Sequence, residues 1–189
     1  MKKVLLILLI SIGTCAFLFA GSSLWTSVVS AGAAHPIQKI IYDDGLHPDR
    51  IHNGLEVSAS YMLRRNTTNS SLVFEFSFGQ FPYSGFHHYS DLRFSFGMRM
   101  PIVYKDNGDT KPSFGVFMRS NIGVSVDIRD DNDIGAYGFF SIGGVFLIEF
   151  EAISVELDIT ASVSYQSWST VHELSPGVSV LFPIGGNGK

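Results

Sequence analysis

The chain has 189 residues and carries 13 Lys and Arg against 17 Asp and Glu, which gives a formal net charge of −4 at pH 7. A chain of this length forms one domain of ordinary size. The acidic balance excludes the basic footprint of a nucleic-acid-binding protein, so we expect no nucleic-acid partner. The single cysteine, Cys15, excludes a fold held together by disulfides.

The first thirty residues have the organisation of a secretory signal peptide. Two lysines precede an uncharged apolar run over 4–20, and small residues follow it. This order of a basic region, an apolar region and a small-residue cleavage site is typical of a leader removed on export. Cleavage after Ala20 and cleavage after Ala33 both fit, and a retained membrane anchor is the alternative. The prediction is a signal peptide over 1–33 and a mature domain over 34–189.

Residues 152–166 alternate between apolar and polar side chains. Every odd position from Ile153 to Tyr165 is apolar, and every even position from Ser154 to Gln166 is polar. Successive side chains of a β-strand point to opposite faces, so this segment predicts a strand with one apolar and one polar face. Strands of soluble proteins usually have about five or six residues, whereas a tilted strand that crosses a bilayer needs about nine to eleven. The length therefore favours a membrane-spanning β-barrel.

Seven segments show this alternation, and an eighth, weaker one precedes them. No helical period competes with them, and clusters of Asn, Asp, Gly and Ser form turns between several of them. Bacterial single-chain barrels have even strand numbers. The prediction is therefore an all-β, antiparallel, up-and-down transmembrane barrel of eight strands, preceded by a signal peptide. The predicted strands are 37–44, 55–63, 72–78, 92–104, 114–129, 136–150, 152–166 and 178–182.

Alternation alone does not decide whether the apolar faces point into a soluble core or out into lipid. A soluble lipocalin-like binding protein has the same pattern turned inside out, and it is the alternative. The length of the strands and the absence of Lys from the clear strands favour lipid. Aromatic residues near strand ends also favour lipid, because membrane barrels carry aromatic girdles there. The predicted girdle residues are Tyr61, Tyr104, Tyr165 and Trp168.

The polar faces collect charges of both signs. Eight strands enclose an interior only wide enough to be filled by side chains, so charges inside it must pair. The planar guanidinium group of Arg suits carboxylates. We expect an ion-pair network that fills the lumen, and a narrow channel for ions or small molecules is the alternative. The predicted lumen residues are Glu56, Arg64, Glu75, Arg93, Arg99, Arg119, Asp127, Arg129, Glu149, Glu151, Glu156 and Asp158.

The same register places the connections between strands. With both termini on the periplasmic side, outer loops are expected near 45–53, 80–90, 130–133 and 167–173. Histidines in these loops, beside aspartates, are weak candidates for zinc or copper ligands, although no tight ligand spacing is present. We therefore predict no cofactor and no metal. The histidines are His47, His52, His87, His88 and His172.

A leader, about eight amphipathic strands and a mature length of about 160 residues resemble the small bacterial outer-membrane β-barrels, the size class of the OmpX-like and OmpW-like proteins. The resemblance implies an outer-membrane location and a structural or surface-exposed role without catalysis. It also implies membrane lipid and the outer-membrane assembly machinery as partners, with a small-molecule or host-surface ligand left open. Barrels of this class usually end on an aromatic residue, but here seven residues follow Phe182.

His88-Tyr89-Ser90 raises an enzymatic alternative. The lipid A deacylases are outer-membrane barrels of similar size that use a His-x-Ser pair on a barrel strand. A serine nucleophile needs an adjacent base and a third group that orients the base. That family's motif continues with Asn, where this chain has Asp91. The departure favours a protein that is not an enzyme, with a lipid A-modifying hydrolase as the alternative.

Overall fold

The computed structural model describes residues 24–42, 50–82, 88–108, 111–129, 134–166 and 169–184. Among these residues, no helix is long and apolar enough to cross a membrane. The strands are β1 (Trp25–Ala34), β2 (Ile37–Tyr42), β3 (Arg50–Asn53), β4 (Leu55–Arg65), β5 (Ser71–Pro82), β6 (His88–Lys105), β7 (Ser113–Arg129), β8 (Ile134–Glu149), β9 (Ser154–Gln166) and β10 (Ser169–Ile184).

The ten segments form the eight wall strands of a closed antiparallel barrel. β1 and β2 lie end to end along β10, with Ala34 opposite Gly177 and Ile37 opposite Leu174. β3 and β4 lie end to end along β2 and β1 in the same way. The pairing of β1 with β10 joins the first wall strand to the last and closes the sheet. The prediction of an eight-stranded, up-and-down barrel is confirmed.

Two backbone irregularities divide the first two wall strands. Pro36 has no N–H to donate to the ladder, so β1 ends before it. The ladder continues past it, because the backbone nitrogen of His35 donates to the Pro176 carbonyl at 2.9 Å and that of Gly54 donates to the Pro36 carbonyl at 2.9 Å. A Cβ at Gly54 would lie 2.5 Å from the ring of Phe81, so only glycine fits there. The wall strands are therefore continuous although their secondary structure is interrupted.

The wall strands are strongly staggered. A path of directly opposed residues around the barrel starts at Ser60 and returns to the same wall strand at Arg50, which is ten residues away. For eight strands about 4.8 Å apart, this stagger corresponds to a tilt of about 40°, which is in the range of transmembrane barrels. The path runs through Ser60, Glu75, Ser95, Gly123, Phe139, Ser164, Val171, Ile40 and Arg50.

The outer wall of the barrel is apolar. On β9, Leu157 is 50% exposed and Ile159 is 59% exposed. The residues that alternate with them, Glu156 and Asp158, point into the lumen. A contiguous apolar surface that encircles the molecule suits lipid rather than water, which argues against the soluble alternative. Other exposed outward residues are Phe76, Phe96, Met98, Ile122, Val124, Phe140, Ile142, Val178 and Phe182.

A β-bulge in β6 turns one residue that was predicted to face lipid, Tyr104, into the lumen. Pro101 and Val103 pair with consecutive residues of β7, so Ile102 has no residue opposite it. Ile102 and Val103 both point outward, and the extra residue turns Tyr104 into the lumen. The prediction that Tyr104 belongs to a lipid-facing girdle was wrong. Of the other predicted girdle residues, Tyr61 and Tyr165 are on the outer wall and Trp168 lies outside the described residues.

The first and last strands are longer than the sequence predicted. The first wall strand begins at Trp25, so the barrel includes nine residues, 25–33, that the predicted boundary assigned to the leader. The last strand begins at Ser169, so residues 169–173 are strand and not outer loop. Small residues in β1 and the central proline of β10, Pro176, obscured the alternation in both strands. Residues 50–53, also predicted as loop, form β3, and residues 80–82 and 88–90 of the predicted loop 80–90 belong to β5 and β6.

The connections fall into two groups at opposite ends of the barrel. The strands that flank 43–49, 83–87, 130–133 and 167–168 meet at one end, which we call the loop end. The start of β1, the finish of β10 and the connections 66–70, 106–112 and 150–153 lie at the other end, which we call the terminal end. The four predicted outer loops therefore share the loop end.

Replacing Ile159 with Arg should cost about 2–4 kcal/mol of folding free energy in a bilayer, because this outward residue lies near the middle of its strand. The matched change Tyr165→Arg, on the same face but near the loop end, should cost about 0–1 kcal/mol. Urea unfolding of protein refolded into phosphatidylcholine vesicles measures both costs. Equal costs at the two positions would contradict the depth assigned to this face.

Candidate functional site

The lumen contains most of the charged residues of the described strands, arranged in layers along its axis. Nearest the terminal end, Nη1 of Arg64 donates to both carboxylate oxygens of Glu149, at 2.9 and 3.0 Å. The hydroxyl of Tyr104, which the bulge turns inward, donates to Oε2 of Glu149 at 3.0 Å. Glu149 is thus held by one cation and one phenol from two other strands.

The next layer combines an ion pair with an apolar cluster. Arg99 on β6 forms an ion pair with Glu156 on β9. The guanidinium carbon of Arg99 also lies 3.9 Å from the ring centre of Phe117, which is a cation–π contact. Phe117 is fully buried and packs in this layer. The other buried members of the apolar cluster are Val28, Met62, Val73, Val145, Leu147 and Leu181.

Two arginines lie directly opposite each other near the middle of the lumen. Arg99 on β6 and Arg119 on β7 are paired in the register, so their side chains leave the backbone at adjacent positions. Arg119 forms its ion pair with Glu75 on β5, across the intervening strand, whereas Arg99 reaches Glu156. Like charges at opposed positions repel. Their divergence to separate carboxylates relieves that repulsion.

The most highly connected residue is Arg93, nearer the loop end. Its two terminal nitrogens donate to the two oxygens of Glu173, each at 2.6 Å. Its Nε donates to Oδ2 of Asp91 at 2.7 Å, and Nη1 lies 3.4 Å from Oε2 of Glu56. Nε2 of Gln38 donates to Oε2 of Glu173 at 2.7 Å. One guanidinium group therefore joins carboxylates from three different wall strands.

A further polar layer follows towards the loop end. Asp91 is fully buried and accepts a hydrogen bond from the hydroxyl of Ser125. The hydroxyl of Tyr137 lies 2.9 Å from Oδ1 of Asp127 and 3.3 Å from Oδ2 of Asp91. Asp91 and Asp127 are directly opposite in the register of β6 and β7. The phenol thus bridges two carboxylates that would otherwise repel each other.

Cavities remain between these layers in the described part of the barrel, and two of them have charged side chains in their linings. The larger, of about 60 Å³, contains charges of both signs in its lining: Glu56, Glu75, Arg93, Arg119, Asp158 and Glu173. The smaller, of about 40 Å³, lies near Arg64 and Glu149. The two share no lining residue, and the layer of Arg99 and Phe117 lies between them. Each cavity has room for a few water molecules.

The structure places most predicted lumen residues on the inner face. Glu151 is the exception, because β8 ends at Glu149 and Glu151 is exposed in the following turn. The side chain of Arg129 lies outside the described residues. The predicted residues that point into the lumen are Glu56, Arg64, Glu75, Arg93, Arg99, Arg119, Asp127, Glu149, Glu156 and Asp158.

Sequence reasoning missed several members of the network. Asp91 was considered only as part of the His-x-Ser triplet, and Glu173 was assigned to an outer loop. The alternation would have found Asp91, since it is out of phase with the lipid-facing Leu92 and Phe94. Tyr137 lies on a strand that is apolar on both faces, so nothing in its surroundings indicated a polar role.

The predicted metal candidates do not come together in the described part of the chain. His52 is buried on the lumen side of β3, whereas His172 is exposed on the outer wall of β10. His47, His87 and the side chain of His88 lie outside the described residues. In the ranges that the structure describes, no three His, Cys, Asp or Glu side chains group as metal ligands would.

The serine of the His-x-Ser triplet and the acid that follows it in the sequence point to opposite faces of the sheet. Ser90 has the same phase on β6 as the outward Leu92, and the adjacent Asp91 points into the lumen. The wall of the barrel therefore separates this hydroxyl from the carboxylates of the lumen network. Those carboxylates cannot orient a base for Ser90.

Comparison with known proteins identifies the fold. No protein-family model and no curated protein matches the sequence. Neisserial surface protein A has a TM-score of 0.53 at 12% identity, over 82% of this chain and 96% of that chain. Ail of Yersinia pestis has a TM-score of 0.47 at 12% identity, over 83% and 98%. The N-terminal β-barrel domain of Pseudomonas aeruginosa OprF has a TM-score of 0.36 at 11% identity, over 81% and 97%.

These likenesses concern the fold. The chain has the closed, eight-stranded fold of the small bacterial outer-membrane β-barrels, and the resemblance inferred from the sequence is confirmed at that level. The outer-membrane location implied by that resemblance agrees with the apolar outer wall.

The change Arg119→Ala should destabilise the barrel by about 3–5 kcal/mol, because it leaves the carboxylate of Glu75 in the lumen without its cation. A matched control is Arg65→Ala, which removes an exposed arginine at the terminal end and should cost less than about 1 kcal/mol. Urea unfolding in lipid vesicles measures both free energies. If the two variants are equally stable, the Arg119 pair is not a structural element of the lumen.

Proposed function

We propose that the protein is an integral outer-membrane β-barrel with a structural or surface-exposed role, a lumen closed by side chains, and no catalytic activity. Its expected partners are membrane lipid and the outer-membrane assembly machinery. The observation that carries the proposal is the layer in which Arg99, Glu156 and Phe117 meet at the level of the buried apolar cluster. An eight-stranded barrel has an interior that side chains can fill, which supports a closed lumen.

The position of the His-x-Ser triplet supports the absence of catalysis. A serine hydrolase needs a base oriented by a third group. Ser90 is on the outer wall, while the adjacent residue in the sequence, Asp91, belongs to the lumen network through Arg93 and Ser125. The acid closest in sequence is thus already engaged on the opposite face of the sheet.

The second candidate is a narrow channel for small polar solutes, and the two cavities favour it. Both contain charged side chains in their linings, and they lie on the same axis. A solute would have to pass the layer of Arg99 and Phe117, which separates them. The channel function therefore requires this layer to open, whereas the structural function requires it to stay closed.

Ion conductance in planar bilayers distinguishes the two functions. The unmodified protein should show little or no steady conductance, because side chains fill the layer between the cavities. The double variant Arg99→Ala/Phe117→Ala should raise the conductance by joining the cavities. The control Phe146→Ala truncates an outward aromatic residue and should leave conductance unchanged. A large, stable conductance of the unmodified protein would contradict the structural role and support the channel function.

We also propose that the signal peptide ends after Ala20 and not after Ala33. Trp25–Ala34 pairs with β4 along its whole length, and residues 27–34 pair with β10. Removing this strand would leave the facing edges of β4 and β10 without partners. Unpaired backbone groups are costly in lipid, so a barrel lacking β1 would not remain closed.

Matched substitutions at the two candidate cleavage sites test this proposal. Signal peptidase sites need small residues, so Ala20→Leu should block removal of the leader. Ala33→Leu should be processed and folded normally, because Ala33 is exposed on the outer wall beside Val57 and Val178. Intact-mass measurement should show Gly21 as the mature first residue in the unmodified protein and in Ala33→Leu. A mature chain beginning at Ala34 would refute the proposal.

A further inference from the structure

The larger of the two charged cavities, which we call the central cavity, has more negative than positive charge in its lining. In the described part of the barrel, four carboxylates and two guanidinium groups line it. Arg93 donates to both oxygens of Glu173, and Arg119 forms its ion pair with Glu75. A charge withdrawn from water is costly without a counter-charge, and two carboxylates are left over. They are Glu56 and Asp158.

Two buried polar atoms of this lining have no hydrogen-bond partner among the described residues. Glu56 is 9% exposed, and its Oε2 accepts no hydrogen bond. The closest described cationic atom is Nη1 of Arg93 at 3.4 Å, and this nitrogen donates to Glu173 at 2.6 Å. Ser175 is 7% exposed, and its hydroxyl oxygen also has no partner. Buried polar atoms in native proteins are nearly always satisfied, so both atoms indicate a ligand in the cavity.

Asp158 has no ion-pair partner among the described residues, and its side chain is directed towards the side of Glu56. The hydroxyl of Thr160 donates to Oδ2 of Asp158 at 3.4 Å. Oδ1 leans over the backbone of Gly177, since a Cβ placed on this glycine would lie 2.6 Å from Oδ1 and 3.3 Å from the Cβ of Ala34. Ala34 is in turn directly opposite Glu56 in the register. The two excess carboxylates therefore flank one stretch of the inner wall.

The closing strands leave space between these carboxylates because their inward side chains are small. Asp158, Gly177, Ala34 and Glu56 are opposed in sequence across four neighbouring strands, so only a glycine and an alanine separate the two acids. Hydroxyl groups, which offer further oxygen atoms, surround this space. The central cavity is therefore lined mainly by oxygen ligands. The hydroxyl residues of its lining include Ser58, Ser141, Thr160, Ser162, Ser175 and Ser179.

We propose that the central cavity binds a small hard cation, such as Na⁺, K⁺ or Ca²⁺, held by Asp158, Glu56 and the surrounding hydroxyl groups directly or through water. Carboxylate and hydroxyl oxygens suit alkali and alkaline-earth cations. In the ranges that the structure describes, no three His, Cys, Asp or Glu side chains converge, which disfavours a transition metal. The cation balances the excess of carboxylates. It also provides a partner for Oε2 of Glu56 and for the hydroxyl oxygen of Ser175.

Unfolding in different salts tests the site, because a ligand that binds only the folded state stabilises that state. The full-length processed protein is refolded into phosphatidylcholine vesicles in choline chloride, whose bulky cation screens charge without coordinating to oxygen. Na⁺, K⁺ or Ca²⁺ then replaces choline at constant ionic strength, and urea unfolding gives the unfolding equilibrium constant in each salt. The test variants are Asp158→Asn and Glu56→Gln. The matched control is Glu156→Gln, which removes a buried lumen carboxylate outside the lining of the central cavity.

At least one of the three cations should lower the unfolding constant of the unmodified protein by about ten-fold when its concentration is ten times its Kd. Glu156→Gln should show the same response from a lower starting stability, and the two test variants should lose the response. In choline, Asp158→Asn should be at least as stable as the unmodified protein, because it removes an unbalanced charge. An unmodified protein that responds equally to choline and to all three cations, or test variants that respond like the control, would overturn the proposal.

Anomalous X-ray scattering locates the cation directly in crystals of the unmodified protein, so this measurement stands even where a variant misfolds. Tl⁺ substitutes for the monovalent cations and Ba²⁺ for Ca²⁺. One of these heavy ions should give an anomalous peak in the central cavity, among Asp158, Glu56 and Ser175. If neither ion gives a peak there, the cavity holds no cation and the proposal is refuted.

Discussion

Closure of the sheet between β1 and β10 is the constraint on which the other features of this protein depend. In lipid, every backbone N–H and C=O needs a partner within the protein, and only a closed sheet provides one for all its strands. Eight wall strands with a stagger of ten residues then fix the width of the interior. That width leaves room for side chains and little else. The proposed closure of the lumen by side chains is what a barrel of this width favours.

A narrow interior also decides how charge is distributed. Charges withdrawn from water need partners with good geometry, and the lumen supplies them between strands that are not neighbours. Arg99 and Arg119 start opposite each other but reach Glu156 and Glu75 on different sides of the barrel. These ion pairs cross-link wall strands that share no hydrogen bonds. The outer wall shows the complementary pattern. In the described strands no outward position carries an acidic residue, and the outward basic residues lie mostly near the two ends of the barrel.

The alternation of apolar and polar residues was sufficient to predict the fold, because each strand can be recognised from its own sequence without knowledge of its neighbours. It gave the faces of β7 and β9 correctly, since neither strand is interrupted. It failed where a backbone irregularity changes the phase, as at Ile102, where one extra residue turns Tyr104 inward. It also failed in β1, where Ala, Gly and Ser differ too little in polarity to mark two faces. The partners of Arg93 could not be predicted, because contacts across the lumen depend on the stagger of the whole barrel.

The central claim is that the outward faces contact lipid and the inward faces contact each other. Nuclear Overhauser effects between lipid acyl chains and methyl groups, recorded on the protein in phospholipid nanodiscs, test this directly. The structure predicts strong effects from acyl chains to Ile159 and Val178, which are exposed, and none to Val145 and Leu147, which are buried. Acyl-chain contacts at Val145 and Leu147 with none at Ile159 and Val178 would mean that the faces are reversed, and would contradict the account.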